Sequence, residues 1–393
     1  MLEERDVLIL GGGFAGAYVG RLLRERVPTI VSHENFMLYT PLLPEAASGT
    51  LEPRHTVVPL RVMCPRAELI LGTVEGVDLE ARTARVDGHT LRWRDLVVAL
   101  GAVPRAVPEH ALTFKSLEDA IQLRNHVLGR LEAADASPQL AARELTFVFV
   151  GAGYAGVEAL AELSDLVDDA LQYYPHLHTV PRRWVLVDAA AKILPEIPPP
   201  LGEYAAEELT RRGVEIHVGT TLERTSSDEI ALGDGTVIPT RTLVWTAGII
   251  PNPLLSELGL PLDERGRIEV DEYLHVRGQE HVWSLGDCAR VPNRKAADPD
   301  PPTCQHALRQ ARRLAKNIEG DTRPYGYRML GQVATLGRYK GIADVLGFRF
   351  RGFPGWFVTR SYHLYQLPLA SRRLRVVADW TTSLLFRRDV VKL

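Results

Sequence analysis

The sequence has little cysteine and no long apolar run, and both absences exclude classes of protein. Its 393 residues include only three cysteines, Cys64, Cys288 and Cys304, whose wide and irregular spacing excludes a disulfide framework and a zinc site. No run reaches the roughly 18 apolar residues that span a bilayer. A strand-like pattern starts almost at the first residue, so we expect no signal peptide. A reducing, cytoplasmic setting without a bound metal follows.

The net charge of the whole chain is small, but positive charge is concentrated in the C-terminal part. The formal net charge is −3, as in an ordinary soluble protein, and no nucleic-acid partner is expected. From residue 326 onward, twelve Arg and Lys face three Asp and Glu, a balance of +9 that leaves −12 on the remainder. Aromatic and aliphatic residues alternate with these arginines, a pattern typical of a segment that lies at a membrane surface. A small domain with its own aromatic core, or a dimer interface, would give the same pattern.

A glycine-rich sequence occurs twice, as Gly-Gly-Gly-Phe-Ala-Gly at residues 11–16 and Gly-Ala-Gly-Tyr-Ala-Gly at residues 151–156. Each copy follows an apolar, strand-like run and precedes a segment with helical spacing. A strand, a tight glycine turn and a helix N-terminus together bind a pyrophosphate through backbone amides and the helix dipole. Two copies in this context predict two bound dinucleotides and electron transfer between them.

The stretches after the two glycine motifs follow the same order, which indicates an internal repeat. Each contains an Asp-Gly hairpin signal, at residues 87–88 and 234–235, and then an apolar run that ends in Gly101 or Gly248. A third short apolar run leads to Gly286-Asp287, where we expect the chain to return and complete the first unit. The predicted fold class is α/β, with two Rossmann-like dinucleotide-binding domains, the second inserted in the first. The expected domains are residues 1–112 with 250–325, residues 113–249, and a C-terminal region at 326–393.

Several further segments carry a resemblance to a known family. They are residues 36–45 (Phe-Met-Leu-Tyr-Thr-Pro-Leu-Leu-Pro-Glu), Gly156-Val157-Glu158, residues 284–287 (Ser-Leu-Gly-Asp), residues 302–310 (Pro-Thr-Cys-Gln-His-Ala-Leu-Arg-Gln), Asp379-Trp380 and residues 385–389. Over its whole length the chain resembles the two-dinucleotide flavoproteins with a glutathione-reductase-like fold, and among them the type II NADH dehydrogenases (NADH:quinone oxidoreductases). The resemblance implies electron transfer from NADH via FAD to a quinone, without proton pumping. It also implies peripheral attachment to the inner face of the cell membrane through the C-terminal region.

The resemblance assigns FAD to the first unit. At the end of the second strand, where the family has an acidic residue for the ribose, this chain has Ser32, and Glu34 lies two residues on. Either Glu34 substitutes or the ribose is held less tightly. Asp287 is expected on the ribityl or phosphate side, with a helix N-cap as its alternative role. The expected FAD contacts are Gly11, Gly12, Gly13, Phe14, Ala15, Gly16, Ser32, Glu34, Thr40, Leu42, Val74, Gly101 and Asp287.

The second unit is expected to bind NADH. Asp188 ends the strand after the second glycine motif, where a carboxylate accepts a hydrogen bond from the ribose 2′-hydroxyl and repels a 2′-phosphate. We therefore predict a preference for NADH over NADPH. The expected NADH contacts are Gly151, Gly153, Tyr154, Ala155, Gly156, Asp188 and Gly248.

Four residues are candidates for catalysis through the resemblance. Glu158 would face the junction of nicotinamide and flavin and orient the nicotinamide or handle a proton, unless it only stabilises the helix start. Gln305 and Gln310 match the family's quinone-site glutamines, since an amide can both donate to and accept from a quinone oxygen. His306 would deliver a proton or serve a purely structural role.

Missing cysteines decide between related enzyme classes. Residues 38–50 contain no cysteine, which excludes the redox-active pair of flavin disulfide reductases and the single reactive cysteine of NADH peroxidases. A sulfide:quinone reductase stays open because Cys288 and Cys304 could lie near each other. A redox-sensing, apoptosis-inducing-factor-like flavoprotein that binds NADH without rapid turnover is the alternative from another functional class.

Overall fold

The computed structural model describes residues 4–392, which form two α/β units of interleaved chain segments. The first unit contains the residues up to Leu38, Val57–Val103 and Ile249–Met329, and the second contains Tyr39–Thr56, Pro104–Gly248 and the residues from Leu330. The expected divisions at 112/113 and 249/250 lie near two of these junctions. Tyr39–Thr56 and the C-terminal region, in contrast, belong to the second unit, because Glu45 accepts a hydrogen bond from Arg360 and Ser48 donates one to Glu162.

The first unit is built on a seven-stranded sheet whose central strands are parallel and buried on both faces. Its order is Glu68–Leu71, Pro28–Ser32, Glu4–Leu10, His89–Val98, Thr83–Val86 and Val74–Asp78, with Val282–Ser284 parallel to His89–Val98. The last pairing confirms that the chain returns to complete the first unit. Because the strands are parallel, Leu10, Ser32, Val98 and Ser284 end at the same edge of the sheet, where such folds bind ligands.

Two helices cover the part of this sheet that carries the first glycine motif. Phe14–Leu22 packs against Cys304–Ile318. The second helix starts after Thr303, whose side chain accepts a hydrogen bond from the His306 amide. The remaining elements of the unit are the strand pairs Phe36–Leu38 with Val57–Pro59, Ala102–Pro104 with Ile249–Pro251 and Ile268–Glu269 with Ala289–Arg290, the helix Leu60–Met63, and the 3-10 helices Pro253–Glu257 and Gly286–Cys288.

The second unit repeats this arrangement on a five-stranded parallel sheet. Its order is Leu112–Thr113, Thr242–Trp245, Thr146–Val150, Arg183–Asp188 and Val214–Val218. The antiparallel strands Leu222–Thr225, Glu229–Leu232 and Val237–Pro239 pack Ile230, Leu232 and Ile238 against this sheet's valines. The helices are Leu43–Ala47, Leu117–Ala136, Ala141–Glu144, Tyr154–Ala170 and Pro199–Arg211, with 3-10 helices at Thr40–Leu42, Pro53–His55, Pro138–Leu140, Leu171–Tyr173 and Pro175–Leu177.

The C-terminal region of the second unit is a small sheet followed by two helices. Gly331–Thr335, Gly341–Val345 and Phe348–Arg351 form the antiparallel sheet, and Gly352–Gln366 and Ala370–Leu385 are the helices. The first helix packs closely on the sheet, since a Cβ at Gly355 would lie 2.3 Å from the Gly341 carbonyl oxygen. Within residues 4–392, no helix is both long and apolar enough to cross a membrane.

Candidate active site

The two glycine motifs have the same backbone geometry. Gly11 and Gly151 each have a φ of +112°, which strongly favours glycine. A Cβ at Gly16 would lie 1.9 Å from the Gly11 carbonyl oxygen, and one at Gly156 would lie 1.9 Å from that of Gly151. The turn and the first helical residues therefore approach each other too closely for any side chain, in both units.

The glycine at the third position of each motif faces open space. A Cβ at Gly13 or Gly153 would meet no atom within 4 Å, and both glycines are exposed. The helices Phe14–Leu22 and Tyr154–Ala170 begin here without a side-chain cap, so their first amides point outward at the positive end of the helix dipole. This donor set fits the pyrophosphate of a dinucleotide in each unit.

Ser32 and Asp188 occupy equivalent positions beside the two turns. The Gly11 amide donates to Val31 O and the Gly151 amide to Val187 O, both at 2.8 Å. Asp188 accepts from the Ala152 amide at 2.5 Å and from the Ala190 amide at 2.7 Å, one at each carboxylate oxygen. The carboxylate is thus fixed in orientation beside the second cradle.

At the first cradle, the hydroxyl of Ser32 takes the place of that carboxylate. A Cβ at Gly12 would lie 2.4 Å from Ser32 Oγ, so the hydroxyl lies against the glycine turn. Glu34 is exposed and follows the end of the strand.

The Gly-Asp sequence at 286–287 also reaches the first cradle. Gly286 has a φ of +76°, and a Cβ there would lie 3.0 Å from that of Ala15. The half-buried Asp287 follows directly, in the 3-10 helix Gly286–Cys288. Of the remaining expected FAD contacts, Val74 and Gly101 belong to the first unit, whereas Thr40 and Leu42 form a 3-10 helix of the second.

Gln310 and His306 belong to a buried polar cluster centred on Asp300. Gln310 donates to Asp300 Oδ2 at 2.8 Å and accepts from the Gly286 amide at 2.8 Å. Tyr325 and Asn293 donate to the same carboxylate at 2.6 and 2.7 Å. Gln310 is only 2% exposed, so its amide holds the Gly286 turn in place.

His306 lies beside this cluster in surroundings that favour its neutral form. Its Nδ1 is 2.7 Å from the Thr303 hydroxyl, and its Nε2 is 3.7 Å from Asp300. Burial lowers the pKa of His306, although the negative charge of Asp300 opposes this. Gln305, by contrast, is half-buried, and its Oε1 accepts from the Tyr327 hydroxyl at 3.3 Å.

Glu158 is a buried carboxyl group in the second unit. Its Oε1 accepts from the Thr335 amide at 2.8 Å and lies 3.3 Å from the Thr335 hydroxyl. Burial raises its pKa to about 8, with smaller contributions from the charges of Glu162 and Glu45. At neutral pH a large fraction of this carboxyl is therefore protonated.

Glu45 lies beside a stack of aromatic rings around a guanidinium group. Arg360 lies over the rings of Trp356 and Trp380, 4.4 and 4.7 Å from their centroids. Arg360 and Trp380 both donate to Glu45 Oε2, at 3.1 and 2.5 Å. Burial raises the pKa of Glu45 although Arg360 opposes it. We call these four residues the tryptophan clamp.

A second buried arginine connects the end of the C-terminal region to the helix of Glu158. Arg388 donates to Glu162 Oε2 at 2.9 Å, to Thr50 Oγ1 at 3.0 Å and to the Glu162 carbonyl oxygen at 3.2 Å. The side chains of Arg388 and Glu162 are 4% and 1% exposed. This ion pair and the tryptophan clamp together fix the C-terminal region to residues 39–56 within the second unit.

The cysteines are poorly suited to redox chemistry with sulfur. Burial raises the thiol pKa of Cys64 and of Cys304 to about 12 and also raises that of Cys288. The Cys288 thiol lies 3.3 Å from Leu285 O and 3.5 Å from Val98 O. Because the reactive form is the thiolate, these sites favour electron transfer that does not involve sulfur.

Four residues of the site, Asp300, Thr335, Arg360 and Arg388, were not predicted from the sequence as site residues. Glu45 stood in the segment 36–45 that carries the family resemblance, and a lone acidic residue between apolar neighbours is a usable signal of a buried charge. Arg388 stands in an Arg-Arg pair in which the neighbouring Arg387 is exposed, so spacing gives no means of choosing the buried member.

Comparisons with known proteins agree with this geometry. A family model described as pyridine nucleotide-disulphide oxidoreductase matches residues 5–311. The chain is 30% identical to a probable NADH dehydrogenase of Dictyostelium discoideum, over 99% of this chain and 92% of that protein. It is 31% identical to the mitochondrial internal alternative NAD(P)H-ubiquinone oxidoreductase A1 of Solanum tuberosum, over 100% of this chain and 88% of that protein.

A bacterial relative and a solved structure show the same similarity over nearly the full length. The type II NADH:quinone oxidoreductase Ndh of Mycobacterium tuberculosis is 29% identical over 98% of this chain and 89% of that protein. The structure of NDH2 from Plasmodium falciparum in complex with NADH matches with a TM-score of 0.91 at 17% identity, over 99% of this chain and all of that one. At this identity the structural match shows the fold.

Proposed function

The chain belongs to the pyridine nucleotide-disulphide oxidoreductase family and to its type II NADH dehydrogenases, and we propose that it transfers electrons from NADH through FAD to a quinone without pumping protons. The observation that carries this proposal is the pair of glycine cradles with the same geometry, one in each unit. When bound, the flavin supplies the redox chemistry by accepting a hydride from NADH and passing electrons to the quinone.

In the first unit, the protein's task is to hold FAD. The amides at the start of Phe14–Leu22 bind the pyrophosphate, and Ser32 forms one hydrogen bond to the adenosine ribose. Asp287 binds the ribityl or phosphate side, since it directly follows Gly286, whose backbone lies against Ala15. Gln310 acts as a positioning residue because it fixes the Gly286 amide.

In the second unit, Asp188 selects the nucleotide. Two backbone amides orient its carboxylate beside the cradle, where it accepts the hydrogen bonds of a ribose diol and repels a 2′-phosphate. NADH is therefore the preferred donor.

Two residues are proposed to act on the substrates themselves. Both Thr335 groups lie at Glu158 Oε1, so the proton of this carboxyl resides on Oε2, from which it supplies a proton for the reduction. Gln305 uses its half-buried amide to bind a quinone oxygen. His306 and Gln310 instead support the Asp300 cluster, because their hydrogen bonds are already made there.

The exposed apolar residues of the C-terminal helices are proposed to lie on the inner face of the cell membrane. Phe353, Phe357 and Tyr365 recur on one face of Gly352–Gln366 at multiples of four residues and are 56–73% exposed. Leu374 and Leu385 are 71% and 75% exposed on the next helix. Arg375 is exposed beside Leu374, and Arg351 and Arg387 are exposed just outside the two helices, as expected for contact with anionic lipid.

Steady-state turnover with a short-chain quinone tests the reaction. Purified protein loaded with FAD is mixed with NADH and menadione, and NADH oxidation is followed at several quinone concentrations. Saturable turnover supports the enzyme. A stable charge-transfer band with negligible turnover would instead indicate a redox sensor, and faster quinone reduction with sulfide than with NADH would indicate a sulfide:quinone reductase.

Point variants are better suited than a truncation to test the membrane contact. Deleting residues from Gly352 onward would remove Arg360 and Arg388 and leave buried carboxylates unpaired. The triple variant Phe357→Gln/Leu374→Gln/Leu385→Gln removes only exposed side chains. It should reduce binding to vesicles of anionic phospholipid at least tenfold in a sedimentation assay.

A matched variant controls for the general loss of apolar surface. Val62→Gln/Tyr173→Gln/Val237→Gln alters three residues that are 50–58% exposed elsewhere, and it should bind vesicles as the wild type does. If the first triple variant keeps vesicle binding but changes a wild-type dimer into a monomer, the surface is a homodimer interface and the membrane proposal is wrong.

A further inference from the structure

A basic cavity of about 680 Å³ lies in the first unit, away from the glycine cradle. The cradle is at the N-terminus of Phe14–Leu22, whereas Leu22, the last residue of this helix, lines the cavity. Nine helical residues separate the two places by roughly 13 Å along the axis. Six basic side chains line the cavity: Arg24, Arg309, Arg312, Arg313, Lys316 and Arg323.

Most of this charge is not neutralised by neighbouring carboxylates. Asp321 lies 3.3 Å from Arg313 and 2.9 Å from Arg323. The carboxylate of Glu319 accepts hydrogen bonds from the backbone amides of Arg24 and Glu25. Within residues 4–392, the other four cations of the cavity have no carboxylate within 4.0 Å.

Two guanidinium groups also hold buried nitrogen atoms that lack a hydrogen-bond acceptor in the described chain. They are Arg309 Nη1 and Arg313 Nε. The Arg309 guanidinium lies over the Tyr327 ring, 5.2 Å from its centroid, so its position is set by stacking. Buried donors of this kind are normally paired, so the protein itself does not satisfy the hydrogen bonding of this basic cluster.

Stabilisation of helix ends does not account for so many cations. Basic residues in a last helical turn interact favourably with the helix dipole. Each of the two helices has one such residue, Arg21 in Phe14–Leu22 and Lys316 in Cys304–Ile318. Five of the six cations at the cavity therefore lie outside these positions.

We propose that this cavity binds a soluble ligand with several phosphate groups, of which a nucleoside triphosphate is the representative. Arg309, Arg312 and Lys316 would bind the phosphates, and the apolar lining from Leu22 and Pro324 would contact the base or sugar. The volume is in the range of small-molecule sites. This site is separate from both dinucleotide cradles and lies beyond the proposed electron-transfer reaction.

Isothermal titration calorimetry with ATP and with inorganic triphosphate tests the proposal. The protein carries its FAD, and excess NAD⁺ fills the second cradle so that ATP does not bind there. Arg312→Glu/Lys316→Glu reverses two exposed cations of the cavity. Arg66→Glu/Arg92→Glu makes the same change of net charge at exposed positions elsewhere in the unit.

We expect the cavity variant to bind ATP at least tenfold more weakly than the wild type, and the control variant to bind it equally well. Triphosphate should bind the wild type more weakly than ATP but lose affinity in the same variant. Equal binding of ATP and of triphosphate by wild type and cavity variant would overturn the proposal. So would binding to vesicles of anionic phospholipid, dependent on Arg312 and Lys316, in the absence of any binding of ATP or triphosphate.

Discussion

Replacing Glu158 by glutamine should make the stability of the second unit less sensitive to pH. The carboxyl has a pKa of about 8 in the folded protein, against 4.5 for an ordinary glutamate. A raised pKa means that the folded state retains the proton more strongly than the unfolded state does. Its contribution to stability is therefore complete below pH 4.5 and is lost as the pH rises through 8.

The size of this effect follows from the two pKa values. Relative to the fully protonated carboxyl, the free energy of unfolding falls by about 1 kcal/mol at pH 5 and by roughly 5 kcal/mol at pH 9. About 4 kcal/mol of stability is therefore lost between these two pH values. Glutamine stays neutral throughout, and its amide oxygen can accept the same hydrogen bonds from Thr335. In a unit of this size the difference corresponds to roughly 10 °C in melting temperature.

Thermal unfolding at pH 5 and pH 9 measures the difference. Glu158→Gln and wild type should melt at similar temperatures at pH 5, and the variant should melt about 10 °C higher at pH 9. Glu207→Gln removes the same charge from an exposed position of Pro199–Arg211 and should behave as the wild type at both values. A constant difference between Glu158→Gln and wild type from pH 5 to pH 9 would refute the reasoning.

Three further substitutions test other parts of the site. Gly11→Ala should abolish FAD retention, because the new Cβ would lie 2.3 Å from Ala99 O. Retention is measured as the ratio of flavin to protein absorbance. The control Gly76→Ala adds a Cβ that makes ordinary contacts only and should retain FAD. Asp188→Ser should lower kcat/KM for NADH about 10- to 100-fold while changing that for NADPH little, since a charged acceptor contributes about 1.5–3 kcal/mol; an equal loss for both nucleotides would contradict the specificity role. Arg388→Leu should destabilise the protein by about 3–5 kcal/mol in thermal or urea unfolding, because it leaves the charge of Glu162 buried and unpaired; a change below about 1 kcal/mol would show that the ion pair is unimportant.

The elements that bind nucleotides could be predicted from local sequence. Both cradles depend on glycines whose neighbours in the chain form the turn, and the helix after Thr303 begins with its own cap. The presence of two similar α/β units also followed from the internal repeat. These features are set by contacts within short segments or by a pattern that recurs, so a single sequence contains the information.

The buried charges could not be predicted in the same way. Asp300 lies in a proline-rich segment that reads as surface, yet its side chain accepts from Tyr325 and Gln310 across the folded unit. Glu45 pairs with Arg360, which is 315 positions away. Composition shows that the C-terminal region is basic, but only packing decides which arginines are buried and which face the solvent.

The interleaving of the segments has a consequence for how the protein is made. The strand Val282–Ser284 pairs with His89–Val98 in the first sheet, and Tyr39–Thr56 binds Glu162 and Arg360, which both follow much later in the chain. Strands that are synthesised early therefore have unpaired edges until most of the chain has been made. Such unpaired edges slow folding and promote aggregation. Neither unit corresponds to one continuous stretch, so dissection into separately expressed halves would require a rearranged chain order.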